Sequence, residues 1–402
     1  MPTSQHPTWT LPFRDRALLS ETSPLTAYLL RLITIKRSNL CLSADVTSTS
    51  ELLAVAEEVG DSICLLKTHA DIINDFSDRT VRGLREIAKR KRFLVFEDRK
   101  FGDIGSTVQK QYTAGPLSIA KWAEITNAHI FPGPAIVKAL REAAADSIAA
   151  YNTHVCTEIT GPSGLSPRTS RSYDDADDDS PVIEEPEPEP EQPPTDSSPT
   201  TVVVNGTHLQ APTPHHPNGR KPSIVSVSTT IHMQTEPISP QPTPFLDGSD
   251  ADGRSSSDDR DTVFDRLGST PFLRALLLLA EMSSEGHLMT GDYTAKCVEI
   301  ARQYKDFVMG FVAQRSLNQR EGDNFITMTP GCSLPPPGHD GGAMGDGLGQ
   351  QYNTPRKLVL EQGCDVVIVG RGILKAEDRG AEAERYRKEA WEAYEERIGL
   401  KG

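Results

Sequence analysis

The stretch FEDRKFGDIGST places Asp98, Lys100 and Asp103 in a D-x-K-x-x-D spacing. Side chains alternate along a strand, so Asp98 and Lys100 share one face while Glu97 and Arg99 take the other. Gly102 and Gly105 permit a tight path into the next element, which carries Asp103 just past the strand end. Lys67, closing the run ICLLKTH, offers a second ammonium. A Lys-Asp-Lys-Asp array can repel a carboxylate at one point and stabilise a developing carbanion at another. The same four charges could equally form a salt-bridge network with no chemistry. Spacing alone leaves both readings open.

Such an array needs elements that hold it. Eight short apolar, β-branched runs read as strands: 40–46, 63–69, 93–100, 123–129, 275–283, 307–314, 325–331 and 365–372. Amphipathic stretches such as STSELLAVAEEVG, AIVKALREAAADSIAAY and YTAKCVEIARQY lie between most of them. Near-continuous apolar strands alternating with helices imply a parallel sheet covered by helices. Eight units imply a closed (β/α)8 TIM barrel. An open doubly wound sheet is the structural alternative, but LSADVTSTSELL lacks the Gly-rich turn it would show after its first strand. Each run ends in polar residues: Asp45; Lys67, Thr68 and His69; Asp98 and Lys100; Asn127 and His129; Glu281 and Ser283; Gln314 and Arg315; Thr329; Arg371. In a parallel barrel all these ends share one face, where active sites sit.

One tract is unlike the rest. Residues 161–264 are dominated by Pro, Ser, Thr, Asp and Glu and bury too little to offset their ordering entropy. They read as a long disordered insertion between helix 4 and strand 5. It divides the first half of the barrel with its N-terminal arm (1–160) from the second half (265–402). It falls in a helix-to-strand connection, opposite the proposed site, where added length costs only about 0.6 kcal/mol per doubling. The formal net charge of −14 argues against a nucleic-acid partner. The N-terminus lacks the order of a signal peptide and no apolar stretch reaches membrane-spanning length, so the expected location is the cytoplasm. Six cysteines without a CxxC pair suggest neither a zinc site nor a redox pair. No metal or cofactor motif is visible. A Gly- and Pro-dense stretch, PGCSLPPPGHDGGAMGDGLGQQY, reads by itself as a long surface loop.

FEDRKFGDIGSTV resembles the signature of the orotidine 5'-phosphate decarboxylase family. CLLKTH, WAEITNAH, AEMSSEG, YTAKCVEIA, DFVMGFVAQR, MTPG, LGQQY and VGRG extend the resemblance in order over residues 22–160 and 265–402, closest to fungal forms. The commonest family form has Ala at the position of Gly102. The resemblance implies catalysis by Lys67, Asp98, Lys100 and Asp103, with Lys100 protonating C6 of the pyrimidine and Asp98 crowding the substrate carboxylate. It implies ribose contacts from Asp45 and Lys67, pyrimidine recognition by Ser283, and a 5'-phosphate site made of Gln350, Tyr352, Gly370 and Arg371. It also implies that the Gly- and Pro-dense loop is a lid over the site. Thr68, His69, Ile104 and Pro330 belong to the implied substrate contacts. Asp103 and Thr107 are implied to reach the neighbouring subunit of a homodimer. The substrate would be orotidine 5'-phosphate, with no cofactor.

His129 reads as a structural histidine, Glu97 and Arg99 as pointing away from the barrel interior, and Trp122 and Trp391 as helix packing. Two rival functions stand beside this one. One is a Mg2+-dependent sugar-phosphate decarboxylase of the same barrel family, with Glu281 as the metal acid. The other is an inactive nucleotide-binding sensor.

Overall fold

A computed structural model of the 402-residue chain describes residues 5–151, 264 and 266–335, and 352–400; for 153–160, 226–233, 344–345 and 351 it describes the backbone alone. These fall into two compact units, Met1–Ala150 with Thr235–Gly402, and Tyr151–Gln234.

The first unit is built on eight strands: β1 Leu40–Ser43, β2 Leu65–Thr68, β3 Leu94–Phe101, β4 Ile125–Ala128, β5 Ala275–Leu279, β6 Val308–Val312, β7 Ile326–Thr329 and β8 Val366–Val369. Each pairs in parallel with its sequence neighbours, and β8 pairs with β1, so the sheet closes into a barrel. Every expected strand is present, most of them trimmed at the C-terminal end. There the chain leaves the ladder to enter a loop: Ala44 N–H still bonds Lys67 O at 2.9 Å, but Val46 N–H already folds back to Ala44 O. Seven of the eight strands are buried along their whole length with no exposed face, as parallel strands between helices and a filled interior must be.

The covering helices include α1 Pro24–Lys36, α2 Thr49–Val59, α3 Asp78–Lys91, α4 Gly105–Thr113, α5 Ala135–Tyr151, α6 Asp292–Gln303 and α7 Arg379–Arg397. Their starts are chemically marked. Ser23 and Ser48 accept from Thr26 and Glu51 N–H, and Asp378 accepts from Ala381 N–H, each satisfying a donor that has no partner within its helix. The N-terminal arm is buried where β7 and β8 begin. Arg16, wholly buried, bonds Asn324 Oδ1, Phe325 O and both oxygens of Asp365. Phe13 stacks on Tyr394 of α7 with centroids 4.1 Å apart.

The second unit contains an antiparallel pair, Thr153–Thr160 with Ser226–Met233. Ser226–Met233 thus forms a strand inside the tract expected to be disordered; most of the remaining tract lies outside the described residues. The five described cysteines are buried and unpaired. Among the described residues, no helix is long and apolar enough to cross a membrane.

Candidate active site

The charged strand end is not a regular strand. β3 pairs Glu97 with Thr126 and then Phe101 with Ala128. Asp98, Arg99 and Lys100 therefore face one β4 residue, Asn127. Simple alternation does not carry through such a bulge. Lys100 has φ +52°, a left-handed conformation that is uncommon for a side chain of this kind and concentrates at functional sites. Asn127, buried to 1 % exposure, fills the gap. It accepts from Lys100 N–H at 2.7 Å and donates to Asp98 Oδ1 at 2.6 Å. The two side chains that alternation put on one face do meet: Lys100 Nζ lies 2.7 Å from Asp98 Oδ1.

The neighbouring strands complete a network. Lys67 Nζ, from β2, lies 2.9 Å from Asp98 Oδ2, 3.4 Å from Asp45 Oδ1 and 2.8 Å from His69 Nε2. His69 Nε2 is also 3.2 Å from Asp98 Oδ2. Ser43, at the end of β1, donates to Asp45 Oδ1 at 2.7 Å. Burial alone would raise the Asp98 carboxyl, but Lys67, the hydrogen bond from His69 and Lys100 together hold it well below the carboxylate range. Burial would likewise lower Lys67, and Asp98 and Asp45 reverse that into a rise. Each member thus keeps its partner ionised. His129 is pushed down, by burial first and by Lys100 second, so its imidazole is neutral at pH 7. At the end of β8, Arg371 Nη2 donates to Tyr352 Oη at 2.5 Å. Gly370 lies so close to β1 that a Cβ there would sit 3.4 Å from Ser43 Cβ and 3.7 Å from Asp45 Oδ2. A charged array and an exposed arginine thus flank β1 on the C-terminal face.

Residues 38–166 and 251–386 match the model of the Orotidine 5'-phosphate decarboxylase / HUMPS family. The chain belongs to that family. Among its relatives is an "Orotidine 5'-phosphate decarboxylase" of Aureobasidium pullulans, 44% identical over 98% of this chain and 96% of that one. Proteins of the same name from Hypocrea atroviridis, at 43% over 98% and 99%, and Rhizopus oryzae, at 34% over 97% and 97%, match along nearly their full lengths.

The remaining positions that the resemblance implied are spread more widely. Asp103 accepts from Ile104 N–H at 2.9 Å and Gln111 Nε2 at 3.2 Å, and it makes no ion pair with Lys67 or Lys100 of its own chain. Ile104 is 55% exposed, and Thr107 is exposed on the first turn of α4. The Thr68 hydroxyl is turned away from the network, donating to Glu97 at 2.6 Å. Ser283, half-buried, lines a cavity of about 540 Å³ together with Glu281, Gln314, Arg315 and Asn353, and this cavity does not include the charged network. Pro330 O accepts from Gln314 Nε2 at 3.4 Å. Gln350 and most of the expected lid lie outside the described residues; of the lid, Met344–Gly345 pairs antiparallel with Gln351–Tyr352.

Sequence reasoning left three participants out of the site. Asn127 and Ser43 hold Asp98 and Asp45, and their only signal was a polar residue closing an apolar run. Glu97 does point away from Asp98, but into a fully buried space. There it accepts from Thr68 Oγ1 and from Ala70 N–H at 3.0 Å, and burial lifts its carboxyl to about 7.

Proposed function

We propose that this chain is a carboxy-lyase that converts orotidine 5'-phosphate to UMP and CO2, the last step in making UMP, without a cofactor. The observation that carries the reading is the Lys67–Asp98–Lys100 network, in which a buried carboxylate is kept ionised between two ammonium groups. In this reading Asp98 crowds the substrate carboxylate. The C6–carboxylate bond breaks, CO2 leaves, the electron pair stays on C6, and Lys100 Nζ delivers a proton there. Lys100 then regains its proton from water.

An ammonium about 4 Å from a unit negative charge contributes on the order of 4 kcal/mol at an effective dielectric near 20. Enzymes supply about 8–23 kcal/mol, so one lysine does not suffice. The rest comes from charges fixed before reaction in a water-poor site and from binding energy remote from C6. Arg371, Tyr352, Gln350 and the Gly370 N–H provide that remote grip on the 5'-phosphate; a guanidinium can bind it through two parallel hydrogen bonds. Asp45, Lys67, Thr68 and His69 take the ribose side, and Ser283 and Pro330 the base. The segment carrying Gln350 and Tyr352 closes as a lid.

The working unit is a homodimer in which Asp103 and Thr107 serve the partner's site. Supporting this, Asp103 makes no ion pair with the network of its own chain, while Ile104 and Phe131 (68% exposed) leave apolar surface beside it. Phe131 lies over Gly102, where a Cβ would sit 2.9 Å from Phe131 Cζ. The expected location is the cytoplasm. Glu281, the acid a Mg2+-dependent relative would need, is already engaged by Gln314 N–H at 2.9 Å and Arg315 at 3.1 Å. The test is a spectrophotometric assay for loss of orotidine 5'-phosphate by the purified full chain in EDTA. Undiminished turnover is expected. Turnover that requires Mg2+, or none with this substrate, overturns the reading.

A further inference from the structure

Asn127 is not among the positions the family signature assigns to chemistry, yet it closes a ring around Lys100. A bulge removes ladder partners from the residues it displaces, and a buried backbone N–H without a partner is costly. Lys100 N–H finds its partner in Asn127 Oδ1 at 2.7 Å. The other end of the same carboxamide donates to Asp98 Oδ1 at 2.6 Å, and that oxygen also receives Lys100 Nζ at 2.7 Å. The ring runs from the Lys100 backbone through Asn127 and Asp98 back to the Lys100 ammonium. Among uncharged side chains of this size, only a carboxamide offers both an N–H donor and an oxygen acceptor in one rigid plane. At 1 % exposure, Asn127 cannot swing to solvent without leaving both bonds unmade.

We propose that Asn127 is a positioning residue: by holding Lys100 in its left-handed backbone conformation and Asp98 in its rotamer, it sets where the Lys100 ammonium points. Without the acceptor, the Lys100 backbone relaxes toward an extended conformation, and its side chain turns off the face it shares with Asp98. This rests on the reading of Lys100 as the proton donor. A role confined to stability would instead act equally whether or not Lys100 carries an ammonium.

The test compares Asn127→Ala, Lys100→Ala and the double variant. Asn127→Ala should lower kcat about a hundredfold, the scale of an ångström's misplacement. The KM for orotidine 5'-phosphate and the Kd for UMP should stay within about threefold. In the Lys100→Ala background the same change should cost less than about threefold in kcat, because residues acting as a unit are not additive. If Asn127→Ala does not yield folded protein, Asn127→Asp is read instead. It keeps an acceptor for Lys100 N–H but loses the donor and sets a carboxylate against Asp98, so the same Lys100-dependent loss is expected. Unchanged kcat, or an equal loss in both backgrounds, overturns the proposal. Turnover of the wild type and of Lys100→Ala in the same assay tests the enzyme and its proton donor, so failure of that reading is seen separately.

Discussion

Asp98 sits between two ammonium groups, with His69 and Asn127 completing its shell. Its depressed carboxyl and the raised Lys67 keep this arrangement charged across the neutral range. Two predictions belong to single residues. Arg371→Ala removes a charged donor to phosphate, worth about 1.5–3 kcal/mol, so UMP affinity measured by calorimetry should fall roughly tenfold to a hundredfold. An unaltered affinity would remove Arg371 from the phosphate site. Glu97 gives a pH signature. Burial lifts its carboxyl from an ordinary 4.5 to about 7. Between those values the folded chain holds a proton that the unfolded chain releases, so stability falls as pH rises through that window. Glu97→Gln abolishes this slope. Relative to the native chain it should gain at most about 3 kcal/mol on going from pH 4 to pH 8, measured by urea unfolding at both pH values. Parallel pH profiles for the two proteins would contradict the assignment.

At the scale of elements, apolar runs without alternation announced parallel strands, and eight of them closed as a barrel. Lys67, Asp98 and Lys100 were legible because charges ending such runs have nowhere to go but the mouth. The bulge of β3 was not legible. The side chain that receives the displaced Lys100 N–H is Asn127 on another strand, and period-two alternation carries no information about a partner's side chain. The same holds for Glu97, whose donors come from the end of β2. The inserted tract makes an element-scale prediction. Its composition buries little, and it enters between α5 and β5, in a connection that precedes a strand rather than following one. Deleting 163–261 should leave kcat within about twofold, since active-site residues occupy the opposite strand ends. A large loss of turnover would show that the tract takes part in the reaction.

At the scale of the molecule, the N-terminal arm and α7 meet at the strand starts of the barrel. Arg16 from the N-terminal arm and Arg397 from α7 both bond Asp365, which also accepts from Thr327 N–H. All three side chains are nearly inaccessible to water, at 0%, 2% and 3% exposure. Removing the acid strands two buried guanidinium groups, so Asp365→Asn should destabilise the barrel by about 3–5 kcal/mol in urea unfolding. A loss below about 1 kcal/mol would mean that the arm is not a structural plug. This plug secures the strand starts while the strand ends hold a polar, strained array. That division lets one face bear fixed charges whose mutual geometry the core enforces. The measurement that tests this most directly is the single-turnover rate of Lys100→Ala on orotidine 5'-phosphate, with its UMP affinity determined alongside. The fixed-charge account predicts a fall of at least about a thousandfold, the loss of roughly 4 kcal/mol, with UMP still bound. A near-native rate, or a fall matched by equal loss of UMP binding, would contradict it.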